Sequence, residues 1–179
     1  LVERMQGAFT TIAKSKIPTI ALAHGFCIGG ATSLVSACDI RLATKDAKFS
    51  IGETKLGLVA DVGVIQRMPK IVSSGDMNEL ALTGRIFDGE HAERIRFVNK
   101  VYENSDELFE AGEKLANEIS SNSKRIVQAT KEALEKSSNL TVDQGLEYAK
   151  LWSTSFLVSE DLREGVMAFL EKRDPKFNE

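Results

Sequence analysis

Apolar residues open the chain at helical spacing: Val2, Met5, Ala8, Phe9 and Ile12 line one face, with Lys14 and Lys16 near its C-terminal end. The apolar run Ile17-Pro18-Thr19-Ile20-Ala21-Leu22-Ala23 follows and breaks at His24-Gly25. Thr19–Ala23 and Ile40–Thr44 read as strands, and Lys48–Ile51 as a shorter extended piece. Between them, Gly30–Cys38 reads as a buried helix with Ala31, Leu34, Val35 and Cys38 on its apolar face. Val62–Met68 is expected to be a short helix stopped at the residue before Pro69. Met77–Leu82 is another, ended by Thr83-Gly84, then His91–Arg96 gives a turn or two and Val98–Tyr102 alternates like a strand. This alternation of strands and helices is that of an α/β layer rather than a bundle.

From Ser105 the period becomes purely helical. Ser105-Asp106-Glu107 supplies N-cap chemistry for a stripe of Leu108, Ala111, Leu115, Ala116 and Ile119. A second stripe holds Ile126, Ala129, Thr130, Ala133 and Leu134. Thr141-Val142-Asp143-Gln144 reads as a capping box opening a third helix with Leu146, Ala149, Leu151, Trp152 and Phe156. A last helix starts at Ser159 and carries Val166, Phe169 and Leu170, with Asp174-Pro175 as its stop. The pattern therefore divides the chain into an α/β section, 1–104, and a helical region, 105–179. Apolar stripes without strand partners need a surface to cover, either the active site or another subunit.

At 179 residues, 42% hydrophobic and 27% charged, the composition fits one globular domain with or without an appended subdomain. A net charge of −3 without a dense basic cluster gives no electrostatic footprint for nucleic acid; Lys124-Arg125, Lys131 and Lys136 are interrupted by Glu132 and Glu135. No run of 18 apolar residues exists to span a membrane. Cys27 and Cys38 read as reduced thiols of a cytosol-like compartment, and His24 and His91 have no ligand at metal-binding spacing. His24 itself reads as a strand-end histidine with a backbone partner. The chain shows neither signal peptide nor initiator methionine, and so reads as the back part of something longer.

The chemistry concentrates between His24 and Asp61. A strand feeding Gly29-Gly30 and then a helix leaves backbone N–H groups free for a phosphate or for the oxygen of an enolate. Two carboxylates follow, Glu53 and Asp61. An oxyanion site with carboxylates nearby is equipment for moving a proton next to a carbonyl. Plainer readings stand beside this one: Glu53 as a solvated loop carboxylate, Asp61 as the N-cap of the helix after it, and Gly29-Gly30 as a tight packing turn.

These residues resemble the enoyl-CoA hydratase/isomerase (crotonase) superfamily. The matching pieces include Lys16-Ile17-Pro18-Thr19-Ile20-Ala21, His24-Gly25, Cys27-Ile28-Gly29-Gly30, Ala37-Cys38-Asp39-Ile40-Arg41, Ala47-Lys48-Phe49, and Glu53 followed by Leu56-Gly57-Leu58. Further along, Gln66-Arg67, Glu79-Leu80-Ala81-Leu82-Thr83-Gly84 and Ser159-Glu160-Asp161-Leu162-Arg163-Glu164-Gly165 fit as well. The resemblance implies a β-β-α spiral core with a C-terminal helical region, assembled as a homotrimer or a dimer of trimers. A full member carries a further N-terminal part, which this chain is expected to lack, along with one oxyanion-hole N–H.

Carried over, the remaining oxyanion donor is the N–H of Gly30, and Glu53 is a catalytic acid. Ser33 stands where hydratases have a second glutamate, and a hydroxyl of ordinary pKa cannot replace a carboxylate as general base. Gly57-Leu58-Val59-Ala60-Asp61-Val62-Gly63 is similar to dienoyl-CoA isomerases in particular, where acids matching Glu53 and Asp61 shuttle a proton and a third acid occupies the Ser33 position. Gly29, Ser33, Phe26 and Ile28 are implied substrate contacts, with Phe169 and Lys172 toward the adenine end of coenzyme A. The implied activity is an acyl-CoA double-bond isomerase that needs no cofactor or metal beyond the CoA of its substrate. Enoyl-CoA hydration and non-catalytic acyl-CoA binding are the alternatives. The cytoplasm, a mitochondrial matrix or a peroxisome would all suit it.

Overall fold

The computed structural model describes residues 1–177. Its contacts divide into two units, the first made of Leu1–Ser15 and Thr19–Lys114, the second of Lys16–Pro18 and the helical remainder from Leu115. The division falls inside one helix, Ser105–Ser120, rather than at the change of sequence pattern near 104.

In the first unit, helix α1 (Val2–Ala13) is followed by β1 (Ile20–Ala23) and β2 (Phe26–Ile28), and then by α2 (Gly30–Ser36). After α2 come β3 (Ile40–Thr44) and β4 (Lys48–Ser50). A 3-10 turn over Gly52–Leu56 leads to α3 (Val64–Arg67), a second 3-10 turn (Met68–Lys70) and α4 (Ser74–Thr83). β5 (Phe87–Asp88), α5 (Gly89–Arg94) and β6 (Lys100–Tyr102) complete the layer. The strands form two sheets. One has the order β1-β3-β6, all parallel, with Leu22 opposite Leu42 and Ala43 opposite Val101. The other has the order β2-β4-β5, with Cys27 opposite Phe49, and β5 runs antiparallel to β4. Each pass of the chain thus gives one strand to each sheet. The corner between β1 and β2 is Gly25, whose φ of 63° suits glycine and whose carbonyl accepts from Lys48 N–H at 2.7 Å.

The core is aromatic at its centre. Phe49 stacks on Phe87 at 5.6 Å and meets Phe97 edge-on at 5.5 Å. Met68, Leu80, Ile51, Val64 and Val98 surround the trio and are fully buried. Arg41 is buried in β3, its Nε donating to Phe97 O and its Nη1 to Cys38 O, both at 2.6 Å. Burial pushes its guanidinium below the usual arginine range.

The second unit takes in the end of α6 (Ser105–Ser120) with α7 (Lys124–Ser137), α8 (Val142–Phe156) and α9 (Glu160–Glu171). The capping box over Thr141 and Gln144 is present, and Ser123 and Ser159 cap α7 and α9. Ser123 Oγ also donates to Asp161 Oδ2 at 2.7 Å, tying the start of α7 to the first turn of α9. Trp152 stacks on Phe156 at 5.6 Å, and Tyr148 OH donates to Glu132 at 2.9 Å, a bond that pushes its phenol up.

Several local expectations need correction. β2 and β5 carry too few residues to show alternation, so neither was visible in the pattern. Helix α2 ends at Ser36, and it buries Thr32, Ser33, Val35 and Ser36 while Leu34 is exposed, so its buried face is largely polar. Pro69 does not end the chain's helical path but sits inside a 3-10 turn, which needs no N–H at that position. The cap of α6 is Asn104, whose Oδ1 accepts from Glu107 N–H at 3.0 Å, not Ser105. Helix α9 stops at Lys172, in the left-handed conformation (φ 53°), before Asp174-Pro175 is reached. His24 is exposed and stands edge-on to Phe109 at 5.9 Å.

Candidate active site

Ser50 on β4 anchors the site. Gly29, at the end of β2, donates its N–H to Ser50 O at 2.9 Å and turns with φ 57°, a left-handed value open to glycine. Thr32 Oγ1 donates to the same carbonyl at 3.0 Å and to Cys27 O at 2.5 Å. Gly29 O accepts from Ser33 N–H at 3.0 Å, the first bond of α2. Helix geometry therefore leaves the N–H groups of Gly30, Ala31 and Thr32 without an intrahelical acceptor.

Glu53 arrives from the other side on the 3-10 turn that follows β4. Its Oε1 lies 3.2 Å from the place a Cβ on Gly29 would occupy, so the missing side chain makes room for the carboxylate. Its Oε2 is buried and makes no hydrogen bond to the protein. The turn is fastened by Thr54 Oγ1 donating to Ala81 O at 2.7 Å and by Leu58 N–H donating to Glu53 O at 3.0 Å. Glu53 as a whole is half-buried, with one carboxylate oxygen withdrawn from solvent. A carboxylate oxygen withdrawn from water and left unpaired is a costly arrangement, of about 1–3 kcal/mol or more.

Ser33 has no exposed surface, and its Oγ too lacks a partner. Gly30 faces α1, with Met5 Cε 3.4 Å from where a Cβ would stand. Asp61 lies in the exposed loop before α3, and its backbone carbonyl accepts from Gln6 Nε2 at 2.6 Å. It does not cap α3, whose N-cap is Gly63 with no side-chain bond. That leaves its carboxylate free of a structural duty at the helix end. The Arg67 guanidinium fills the place a Cβ on Gly63 would take, and its Nη2 donates to Thr10 Oγ1 at 3.2 Å. The sequence pattern gave no sign of Gln6, since nothing in an amphipathic helix marks which residue reaches a loop 55 positions away.

Of the remaining expected contacts, Phe26 is 79% exposed on β2 and Ile28 lies beside Gly52, next to Glu53. Phe169 and Lys172 belong to the second unit, where Phe169 is 82% exposed and borders an apolar cavity of about 580 Å³ with Phe156, Leu162 and Val166. Cys27 and Cys38 are not joined in a disulfide, and burial pushes the Cys27 thiol up, which keeps it protonated and unreactive. Among the described residues no cluster of three or more His, Cys, Asp or Glu could hold a metal ion, and no helix is long and apolar enough to cross a membrane.

The family model described as "Enoyl-CoA hydratase/isomerase" matches residues 1–179. The chain belongs to the enoyl-CoA hydratase/isomerase family. Within that family it is 49% identical over 177 residues to a mitochondrial Delta(3,5)-Delta(2,4)-dienoyl-CoA isomerase of Dictyostelium discoideum, covering 99% of this chain and 60% of that protein. It is 43% identical to a peroxisomal isomerase of the same name from Arabidopsis thaliana, covering 98% and 63%. The crystal structure of an enoyl-CoA hydratase from Bacillus anthracis superimposes with a TM-score of 0.92 at 29% identity, over 98% of this chain and 68% of that one. The chain thus has the crotonase fold, and it spans about 60% of the length of the curated relatives it matches.

Proposed function

We propose that this chain carries the proton-transfer machinery of an acyl-CoA double-bond isomerase. The observation that carries the reading is Glu53, with one oxygen against Gly29 and the other buried and unpaired, beside the unpaired N–H of Gly30. The thioester oxygen accepts from Gly30 N–H, and removal of a proton from C2 gives an enolate whose charge that donor stabilises. A single such donor is worth about 3 kcal/mol. In a dienoyl substrate Asp61 takes the proton at C2, the double bonds shift, and Glu53 delivers a proton at C6. In a simple 3-enoyl substrate Glu53 removes the C2 proton and returns it at C4. Relatives named dienoyl-CoA isomerases favour the two-acid form. The Ser33 hydroxyl offers no second base for hydration.

Phe26 and Ile28 flank the acyl thioester, and Phe169 and Lys172 contact the adenine end of coenzyme A. The chemistry needs no cofactor beyond that CoA. The exposed apolar residues of the helical unit, Leu151, Val166 and Leu170 among them, support assembly as a homotrimer or dimer of trimers. The names of the relatives favour a reducing compartment, a mitochondrial matrix or a peroxisome.

The test is a side-by-side assay of the full-length protein on 3-enoyl-, 3,5-dienoyl- and 2-enoyl-CoA. Glu53→Gln is expected to lower isomerisation about a thousandfold, and Asp61→Asn to do the same for the dienoyl substrate alone. Isomerisation that survives Glu53→Gln, or hydration as the only turnover, would sink the reading.

A further inference from the structure

Helix α2 buries three hydroxyls in two turns, and two of them are paired. Thr32 donates to Cys27 O and Ser50 O, and Ser36 Oγ donates to Ser33 O at 2.7 Å. Ser33 is the exception. Its N–H goes to Gly29 O and its carbonyl to Ser36, but its Oγ is buried without a protein partner. The only carboxylate oxygen in the same condition among the described residues is Glu53 Oε2. Both residues adjoin Gly29: Ser33 through its backbone bond to the Gly29 carbonyl, Glu53 through Oε1 at 3.2 Å from the absent Cβ. One orphan is a donor and the other an acceptor. A molecule able to accept and donate at once satisfies both, and an ordered buried water is the smallest that does.

We propose that Ser33 is a positioning residue for Glu53, acting through one water that accepts from Ser33 Oγ and donates to Glu53 Oε2. The water fixes the carboxylate on its buried side and leaves Oε1, against Gly29, as the oxygen that carries the proton. It serves as an anchor, holding Oε2 while Oε1 exchanges the substrate proton. The proposal rests on Glu53 being the proton carrier of an isomerase.

Crystal structures and kinetics of the full-length protein, wild type and Ser33→Ala, test it. A water within hydrogen-bonding distance of both atoms is expected in the wild type, with Glu53 turned or disordered in the variant. Isomerase kcat is expected to fall about tenfold, the loss of one ordinary hydrogen bond, with KM within about twofold. Tm should hold, since the change removes one water-mediated hydrogen bond and almost no packing, and the water keeps its bond to Glu53. Absence of the water from the wild type, an unchanged kcat, or a fall in kcat matched by a fall in Tm would each overturn the proposal, the last assigning Ser33 to packing. If the wild type turns over no acyl-CoA, the isomerase reading fails by itself, and the two structures still decide whether Ser33 holds Glu53.

Discussion

Gly29 concentrates three demands in one residue: a left-handed φ, an N–H on Ser50 O, and an empty Cβ position that Glu53 Oε1 approaches to 3.2 Å. Gly29→Ala meets the first and the last together. The backbone strain costs about 1–2 kcal/mol, and the methyl displaces the carboxylate. We expect Tm to fall by several degrees and kcat by a larger factor than folding accounts for, read from thermal unfolding and steady-state rates on the same preparation. Equal activity per folded molecule would show that Glu53 does not need this space. The positions of Gly29, Gly30 and Glu53 were legible in the chain because a strand, a double glycine and a carboxylate follow in short order. The burial of Glu53 Oε2 was not, since it depends on β2 and β4 lying side by side. The polar face of α2 escaped for the same reason: Thr32 is tolerable inside only because Cys27 O and Ser50 O are within its reach.

At the scale of elements, the ends were set by side chains that the sequence displays and by one ion pair that it does not. The caps at Ser123, Thr141 and Ser159 are local and were readable. The end of α9 instead depends on Arg173 folding back onto Glu164, Nη1 to Oε1 at 2.6 Å and Nη2 to Oε2 at 3.1 Å, with Lys176 N–H adding a third bond at 2.7 Å. Arg173 holds the Glu164 carboxyl down at about 2, and the Lys176 amide reinforces it. A folded pKa below the unfolded value of about 4.3 means stabilisation that is complete above that value. It is lost as pH falls from about 4.3 through about 2. Glu164→Gln should therefore lower Tm at pH 7 and leave it near that of the wild type at pH 2. A constant difference across that interval in a pH series of melting curves would refute the assignment.

For the whole molecule, the aromatic trio is the common point of β4, β5 and the segment entering β6. Phe97 is fully buried, edge-on to Phe49 at 5.5 Å and to Phe87 at 6.2 Å, and its carbonyl receives Arg41 Nε. Phe97→Ala should cost about 3–5 kcal/mol, measured by urea unfolding, because the cavity it leaves is hemmed in by rigid rings. A loss below about 1 kcal/mol would mean that this core can collapse around the gap. By itself the sequence determined the longer elements and their order, the helical C-terminal region, and the family, because periodicity, caps and the glycine motifs act within a few residues. Only the tertiary structure decided which strands share a sheet, that two-residue β5 exists, that α9 ends at Lys172, and that Ser33 Oγ and Glu53 Oε2 are both buried and unpaired. Those outcomes depend on groups far apart in the chain, and burial leaves no local signature in the residues that undergo it.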